Sequence, residues 1–404
     1  MYALQNIGHR GEFPKGVRSR ERFKCTIMCK SISFLLGAGF SAPIGYPSAK
    51  CLGIVLKHLI DREVRNIEEI RSRETYNGHF LPIIFQTMIH HYESDHNGDF
   101  NYEDFYEYID YCCKDEAISR ELSKYEPGKS ICNMNCNYQF MYQQYLYPLL
   151  MDRCGRQIYD KTDTDVFEIY DKFIQSLDSL LKNDYVINVH SLNHDLLFES
   201  FKFHPAIQYE ISDGYDLNDS PYLGTTKCRE VVKLPYYNGV YDKKIRLYKL
   251  HGSIDQYVYF KGSQNGYMSY DNHIKVSNEI DTNDVIIKES NGYTDKFPFL
   301  DIAPDFLTGK KSKEKGYNKT YYRELLAHFE NNLNEANGLF IIGYSGNDKG
   351  INDRIEENFD CRNKQCIIFD PFPGDALIGF SKKINAQIIK TSAEKVELST
   401  ILNF

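Results

Sequence analysis

Four short stretches place glycines and polar side chains directly after apolar runs, where backbone and side chains together can reach a ligand. In Gly37-Ala38-Gly39-Phe40-Ser41-Ala42-Pro43-Ile44-Gly45-Tyr46-Pro47 the small residues let a turn approach a pyrophosphate, whose charge would meet amide N–H groups and a helix N-terminus. Asn193-His194-Asp195 offers an amide that can fix a carboxamide or a ribose hydroxyl, with a carboxylate to orient that region. His251-Gly252-Ser253 supplies an imidazole able to take a proton at neutral pH, and Gly252 allows close approach by a ligand. Gly343-Tyr344-Ser345-Gly346-Asn347-Asp348 adds glycines and a hydroxyl, and Asp370 follows the apolar run Cys366–Phe369. Taken alone, each has a plain structural reading: a tight turn, an Asn-x-Asp turn, a core histidine, a helix-entry loop. What joins them is their position at strand ends, the edge where a doubly wound sheet builds a site from distant segments.

The elements that must hold these residues follow from periodicity. Ser31–Leu36 reads as a buried parallel strand, and a helix is predicted from Ser48, capped by Ser48, with Leu52, Val55, Leu56 and Leu59 on one face. From about residue 60 to 183 the pattern is helical, with helices over Asn101–Cys113, Tyr138–Met151 and Val166–Leu181, the last keeping Val166, Ile169, Phe173, Leu177 and Leu180 on one face. Further strands are predicted at Tyr185–Val189, Ile245–Leu250, Leu339–Ile342 and Cys366–Phe369, and further helices from Leu196 and over Tyr321–Ala336. Asn265–Asp305 mixes short β-like runs with turns, and Lys310–Lys319 reads as a solvated basic loop. The expected fold is α/β, a Rossmann-like doubly wound parallel sheet with a large α-helical insertion over about 60–183. It would form one domain over 31–404, behind a loose basic tail at 1–30.

Composition narrows the field. With 48 basic and 56 acidic residues the formal charge is −8, so no global basic field draws the chain to nucleic acid or anionic lipid. No apolar stretch approaches the roughly 18 residues of a membrane span, and no cleavable leader is legible. Eleven scattered cysteines predict reduced thiols and a cytoplasmic setting. Cys25/Cys29 and Cys132/Cys136 have a spacing that could hold zinc, yet neither pair is joined by a second, and no metal site is expected.

Taken together, the four stretches resemble the sirtuin (SIR2) family. Gly37-Ala38-Gly39-x-Ser41 followed by Gly45-x-Pro47 matches the family's G-A-G-x-S-x-x-x-G-x-P without a gap, Asn193-x-Asp195 its T-Q-N-x-D, His251-Gly252-Ser253 its H-G-S, and Gly343-x-Ser345 its late G-T-S. The resemblance spans about Ser31 to Asp370. It implies an NAD pocket formed by Gly37, Ala38, Gly39, Ser41, Pro47, Asn193, Asp195, Gly343, Ser345 and Asp370. In that pocket Asn193 would position the nicotinamide ribose or a water, Asp195 would orient that region, and His251 would act as general base.

The departures from the family point further. Ser48-Ala49-Lys50 stands where deacylases carry Asp-Phe-Arg, Leu192 replaces a Gln, and no cysteine lies between His251 and Cys361 to build the family's zinc ribbon. With its helical insertion and no ribbon, the chain looks like the SIR2 branch of bacterial antiphage defence, which implies an NAD glycohydrolase that depletes NAD when triggered. The alternatives are an NAD-dependent deacylase or ADP-ribosyltransferase, and a non-catalytic NAD or ADP-ribose sensor. The same resemblance implies a homo-oligomer, with a separately encoded ATPase or sensor as a possible partner. Phe105, Tyr108 and Ile109 would either mediate such contacts or pack the domain's own core.

Overall fold

A computed structural model describes residues 30–71, 80–98, 100–125, 135–154, 164–262, 268–288, 294–295, 303–309 and 319–398. The basic tail at 1–29, the loop at 310–318, Cys25, Cys29, Cys132 and the Cys136 side chain lie outside them.

The strands are β1 (Ser31–Leu36), β2 (Val186–Ser191), β3 (Ile211–Ser212), β4 (Tyr215–Asp216), β5 (Tyr222–Thr225), β6 (Val231–Lys233), β7 (Tyr236–Tyr237), β8 (Ile245–Lys249), β9 (Gln256–Gly262), β10 (Met268–Lys275), β11 (Ile286–Lys288), β12 (Thr294–Asp295), β13 (Gly338–Ile342), β14 (Gln365–Phe369) and β15 (Gln387–Ile389). Seven of them form a parallel sheet in the order β15-β14-β13-β1-β2-β8-β3. Leaving aside the short edge strand β3, the chain winds outward from β1 through β2 and β8, then crosses back to β13 and winds the other way. That is the doubly wound Rossmann order, and its direction reverses between β1 and β13.

The core explains why these residues are strands. Along β1, Ile32, Phe34 and Leu36 face one buried layer and Leu35 faces the other, with buried Ser33 donating to the Asn332 carbonyl at 3.2 Å, so a mainly apolar run is buried on both faces of the sheet. The same two-residue alternation sends Phe340 and Ile342 of β13 to the first layer and Leu339 and Ile341 to the second. The second layer is closed by α9 (Thr320–Glu335), α10 (Lys349–Asn358) and α11 (Asp375–Lys383).

Between β1 and β2 run α1 (Ala49–Arg71), α2 (Leu81–Asp95), α3 (Tyr102–Lys114), α4 (Glu116–Leu122), α5 (Asn135–Cys154), α6 (Thr164–Ile169) and α7 (Asp171–Lys182). Ser48 Oγ accepts the Cys51 N–H at 3.3 Å at the start of α1, and Asn101 caps α3 through the Glu103 and Asp104 amides. Phe173, Ile174, Leu177 and Leu180 of α7 are buried against the sheet, where Phe34 packs edge-on to Phe173 at 5.9 Å. Burying each such side chain contributes about 1.5–3 kcal/mol.

Two expectations change. The single helix over Val166–Leu181 is broken at Tyr170 (φ −96°, ψ 13°), because that ring is buried against Phe40 and Phe201 and its hydroxyl donates to the Phe40 carbonyl. Ile169, expected on the buried face, is 36% exposed as a result. Apart from β8, which joins the parallel sheet as expected, the stretch from 215 to 295, largely unassigned by periodicity, forms two antiparallel four-stranded sheets, β4-β7-β10-β9 and β12-β11-β5-β6. After β2, the expected helix from Leu196 is the short α8 (Leu197–Ser200). Among the described residues, no helix is long and apolar enough to cross a membrane, and no cluster of three or more His, Cys, Asp or Glu is spaced to hold a metal.

Candidate active site

The turn after β1 and the turn after β13 meet at the point where the sheet reverses direction. Gly37 N–H donates to Ile342 O at 3.0 Å and Gly39 N–H to Gly343 O at 2.9 Å, so the two turns are hydrogen-bonded backbone to backbone. A Cβ on Gly37 would lie 2.6 Å from Gly343 O. Gly343, at φ +63°, would place one 2.2 Å from Phe40 N. The glycines are therefore required by the crossing of two main chains. The amides of Gly37, Gly39, Phe40 and Ser41 all donate within the protein, which leaves anion binding at this turn to other groups.

Asn193 ties the end of β2 to the same turn. Its Nδ2 donates to Gly37 O at 2.9 Å and to Ser41 Oγ at 3.1 Å. A carbonyl can only accept, so the amide orientation is fixed by the network, and both amide hydrogens are used. Oδ1 is the atom Asn193 has left to offer, an acceptor suited to a water or a ribose hydroxyl. Asp195 Oδ1 accepts the Leu197 N–H at 3.0 Å just before α8, while the Asp195 backbone carbonyl accepts from Lys249 Nζ. Lys249, on β8, also lies 3.4 Å from Glu199 Oε1, and both side chains are buried. Burial pushes the Glu199 carboxyl up, against the pull of Lys249.

His251 closes the site from the end of β8. Gly252 (φ +79°) allows the backbone of Asp305 and Phe306 to cross behind it, since a Cβ there would sit 2.3 Å from Asp305 O. The His251 carbonyl accepts the Leu307 N–H at 2.8 Å, and Nε2 lies 3.4 Å from Asp348 Oδ2. His194 stands beside it with ring centroids 6.5 Å apart, packed on Phe306. His190 points away: its Nδ1–H donates to Phe34 O at 3.0 Å and its Nε2 accepts from Asn332 at 3.1 Å, on the far side of β2.

One cavity of about 560 Å³ gathers the predicted set. Gly37, Ala38, Gly39, Ser41, Pro47, Asn193, Asp195, His251, Gly343, Ser345 and Asp370 all line it. Its size suits a small-molecule or cofactor site. Asp370 holds the Phe372 N–H at 2.7 Å, and burial raises its carboxyl above the usual range. Sequence reasoning missed several members. Asn101, Tyr102 and Glu103 at the start of α3 and Leu150 of α5 form a wall, so the helical segment shapes the pocket directly. Lys50 also lines it, the one Lys or Arg among the described lining residues, against the four carboxylates of Glu103, Asp195, Asp348 and Asp370. The signal for Asp348 was present, as it belongs to the Gly343 stretch. Sequence reasoning also missed Lys249, at the end of β8 and outside the cavity lining, which holds the Asp195 carbonyl from behind.

No protein-family profile matches the chain, and no curated protein matches it. Among solved structures, a Sir2 homologue mutant in complex with 2'-O-acetyl ADP ribose shares 10% identity over 93% of this chain and 91% of that one, with a TM-score of 0.37. Sir2Tm bound to a propionylated peptide shares 8% identity over 92% of each chain, with a TM-score of 0.36. A Sir2 homologue mutant in complex with ADP ribose shares 10% identity over 88% of this chain and 91% of that one, with a TM-score of 0.29. These overlaps are loose. The class of protein is defined by the strand order and the crevice at its reversal, which make this chain a Rossmann-like α/β protein with its cavity at the carboxyl edge of the sheet.

Proposed function

We propose that this cavity binds NAD and that the chain is an NAD glycohydrolase of sirtuin-like type, cleaving NAD to nicotinamide and ADP-ribose. The observation that carries the reading is the convergence in one cavity of His251, Asn193 Oδ1 and the turn around Gly37, three parts matched in order by the sirtuin pattern. The bond from the ribose C1' to the nicotinamide nitrogen breaks, its electron pair leaves with the ring, and a water oxygen adds at C1' through an oxocarbenium-like state. Asn193 Oδ1 holds the water or a ribose hydroxyl, and His251 takes the proton. Lys50 supplies positive charge for the pyrophosphate. Four carboxylates around one lysine favour the cationic nicotinamide ring and disfavour an additional phosphate, so NADP is expected to be the poorer substrate.

Incubating the purified chain with NAD alone tests this. Free nicotinamide with no acceptor supports the hydrolase, dependence on an acyl-peptide supports a deacylase or transferase, and binding without product supports a sensor. An antiphage role, in which a trigger releases the activity in the cytoplasm, follows the same resemblance and predicts that cellular NAD falls during phage infection only when the chain is present. A homo-oligomer, with or without an ATPase or sensor partner, is the proposed form in which activity is held back.

A further inference from the structure

We infer that Asp348 is a positioning residue for His251, a carboxylate that orients the imidazole across the crevice and raises its proton affinity. Its placement is over-determined. Oδ1 accepts the Ile351 N–H at 3.1 Å as the N-cap of α10, which commits one oxygen to the helix. The Asp348 N–H donates to the Tyr344 hydroxyl at 3.2 Å, and that hydroxyl donates to Asn352 at 2.8 Å, so the loop itself is pinned. The second oxygen, Oδ2, faces His251 Nε2 at 3.4 Å, with the His251 side chain 4% and the Asp348 side chain 17% exposed. A charge pair this close and this shielded favours the protonated ring, and a carboxylate on one ring nitrogen also fixes the tautomer.

The other titratable groups around His251 among the described residues come from the loop after β2, from β8, from the segment behind Gly252 and from α3. His194, from the loop after β2, stands ring to ring with it at 6.5 Å, and Asp195 of the same loop is turned to the Leu197 amide. Lys249, two residues earlier on β8, is turned to the Asp195 carbonyl and Glu199. The Asp305 carboxylate, from the segment crossing behind Gly252, is held by His273 at 2.9 Å and Lys319 at 2.9 Å, and the Tyr322 hydroxyl of α9 donates to the Asp305 carbonyl. Glu103 reaches the cavity from the start of α3.

The kinetic part of this inference rests on the proposed NAD cleavage, whereas the pairing does not. Asp348→Asn is the discriminating variant, because asparagine caps a helix as well as aspartate and preserves the shape. In ¹⁵N-histidine-labelled protein, with the His251 resonance assigned from the spectrum of His251→Gln, Asp348→Asn is expected to lower the His251 pKa by about one unit. The acid limb of the NAD-cleavage profile should move down by the same amount. The plateau of kcat should fall roughly three- to tenfold, by more than KM rises from the loss of one cavity carboxylate. An unchanged His251 pKa in a folded Asp348→Asn protein would overturn the inference. A wild-type protein that releases no nicotinamide would overturn the proposed function instead, and the pKa comparison would still decide on Asp348.

Discussion

Asn193 holds the turn after β1 in place and also presents an acceptor to the cavity, and the two duties can be separated by measurement. Truncation leaves the Gly37 carbonyl and the Ser41 hydroxyl without their donor, so Asn193→Ala is expected to lose about 1–3 kcal/mol of stability as well as its turnover. Denaturant unfolding beside nicotinamide release checks both, and full turnover in a destabilised variant would return Asn193 to a purely structural role. His190 carries a different prediction. Burial lowers its pKa from the usual 6.5 to about 3, partly offset by the hydrogen bond to the Phe34 carbonyl. The folded state keeps the ring neutral down to about pH 3, while the unfolded chain takes up a proton below about 6.5. Between those values the unfolded state binds the extra proton, so this group's contribution to stability falls with acidification, by up to about 1.4 kcal/mol per pH unit. Replacing His190 with Gln should flatten the dependence of unfolding free energy on pH between 6.5 and 4, and an identical slope would contradict the assignment of a buried neutral ring.

At the scale of elements, the site depends on two turns whose main chains touch. Gly45 and Gly343 both have positive φ, at 83° and 63°, but a Cβ on Gly45 would meet nothing within 4 Å, whereas one on Gly343 would collide with the Phe40 and Gly39 backbone. Gly45→Ala is therefore expected to cost about 1–2 kcal/mol, from backbone conformation alone. Gly343→Ala should cost several times more, which paired thermal melts would reveal, and equal melting temperatures would mean that the turns are not in contact. This junction was legible in the sequence because β1 and β13 are short, mainly apolar runs that stop at glycine. β8 was legible at Ile245–Leu250, but the strands of the two antiparallel sheets showed only as short β-like runs within 265–305. Many of them are two to four residues long and draw on Tyr and Lys, so they have no sustained alternation to read. Lys249 escaped for a related reason, since a lysine inside a strand reads as solvent-facing until a buried glutamate is known to lie opposite it.

For the whole molecule, the proposed NAD cleavage raises the question of what would hold it back. The helical segment is the candidate, because the start of α3 and the α5 residue Leu150 form part of the cavity wall. Phe105 and Ile109 are fully buried in the chain's own core and so are not free for subunit contacts, while Tyr111 and Ile54 are about half exposed on the same segment. Assembly or a bound partner that moves α3 would change access to Asn193 and His251. Light scattering behind size exclusion, paired with turnover across protein concentration, is expected to show an oligomer whose activity per chain depends on assembly. A monomer with constant, high turnover would remove this form of gating and leave the chemistry standing. The most direct test of the central claim compares nicotinamide release from NAD alone by the wild-type protein and His251→Ala, with folding and NAD affinity measured on both. The account predicts release by the wild type, and from His251→Ala a folded, NAD-binding protein that releases none; a folded His251→Ala protein with wild-type turnover would contradict it.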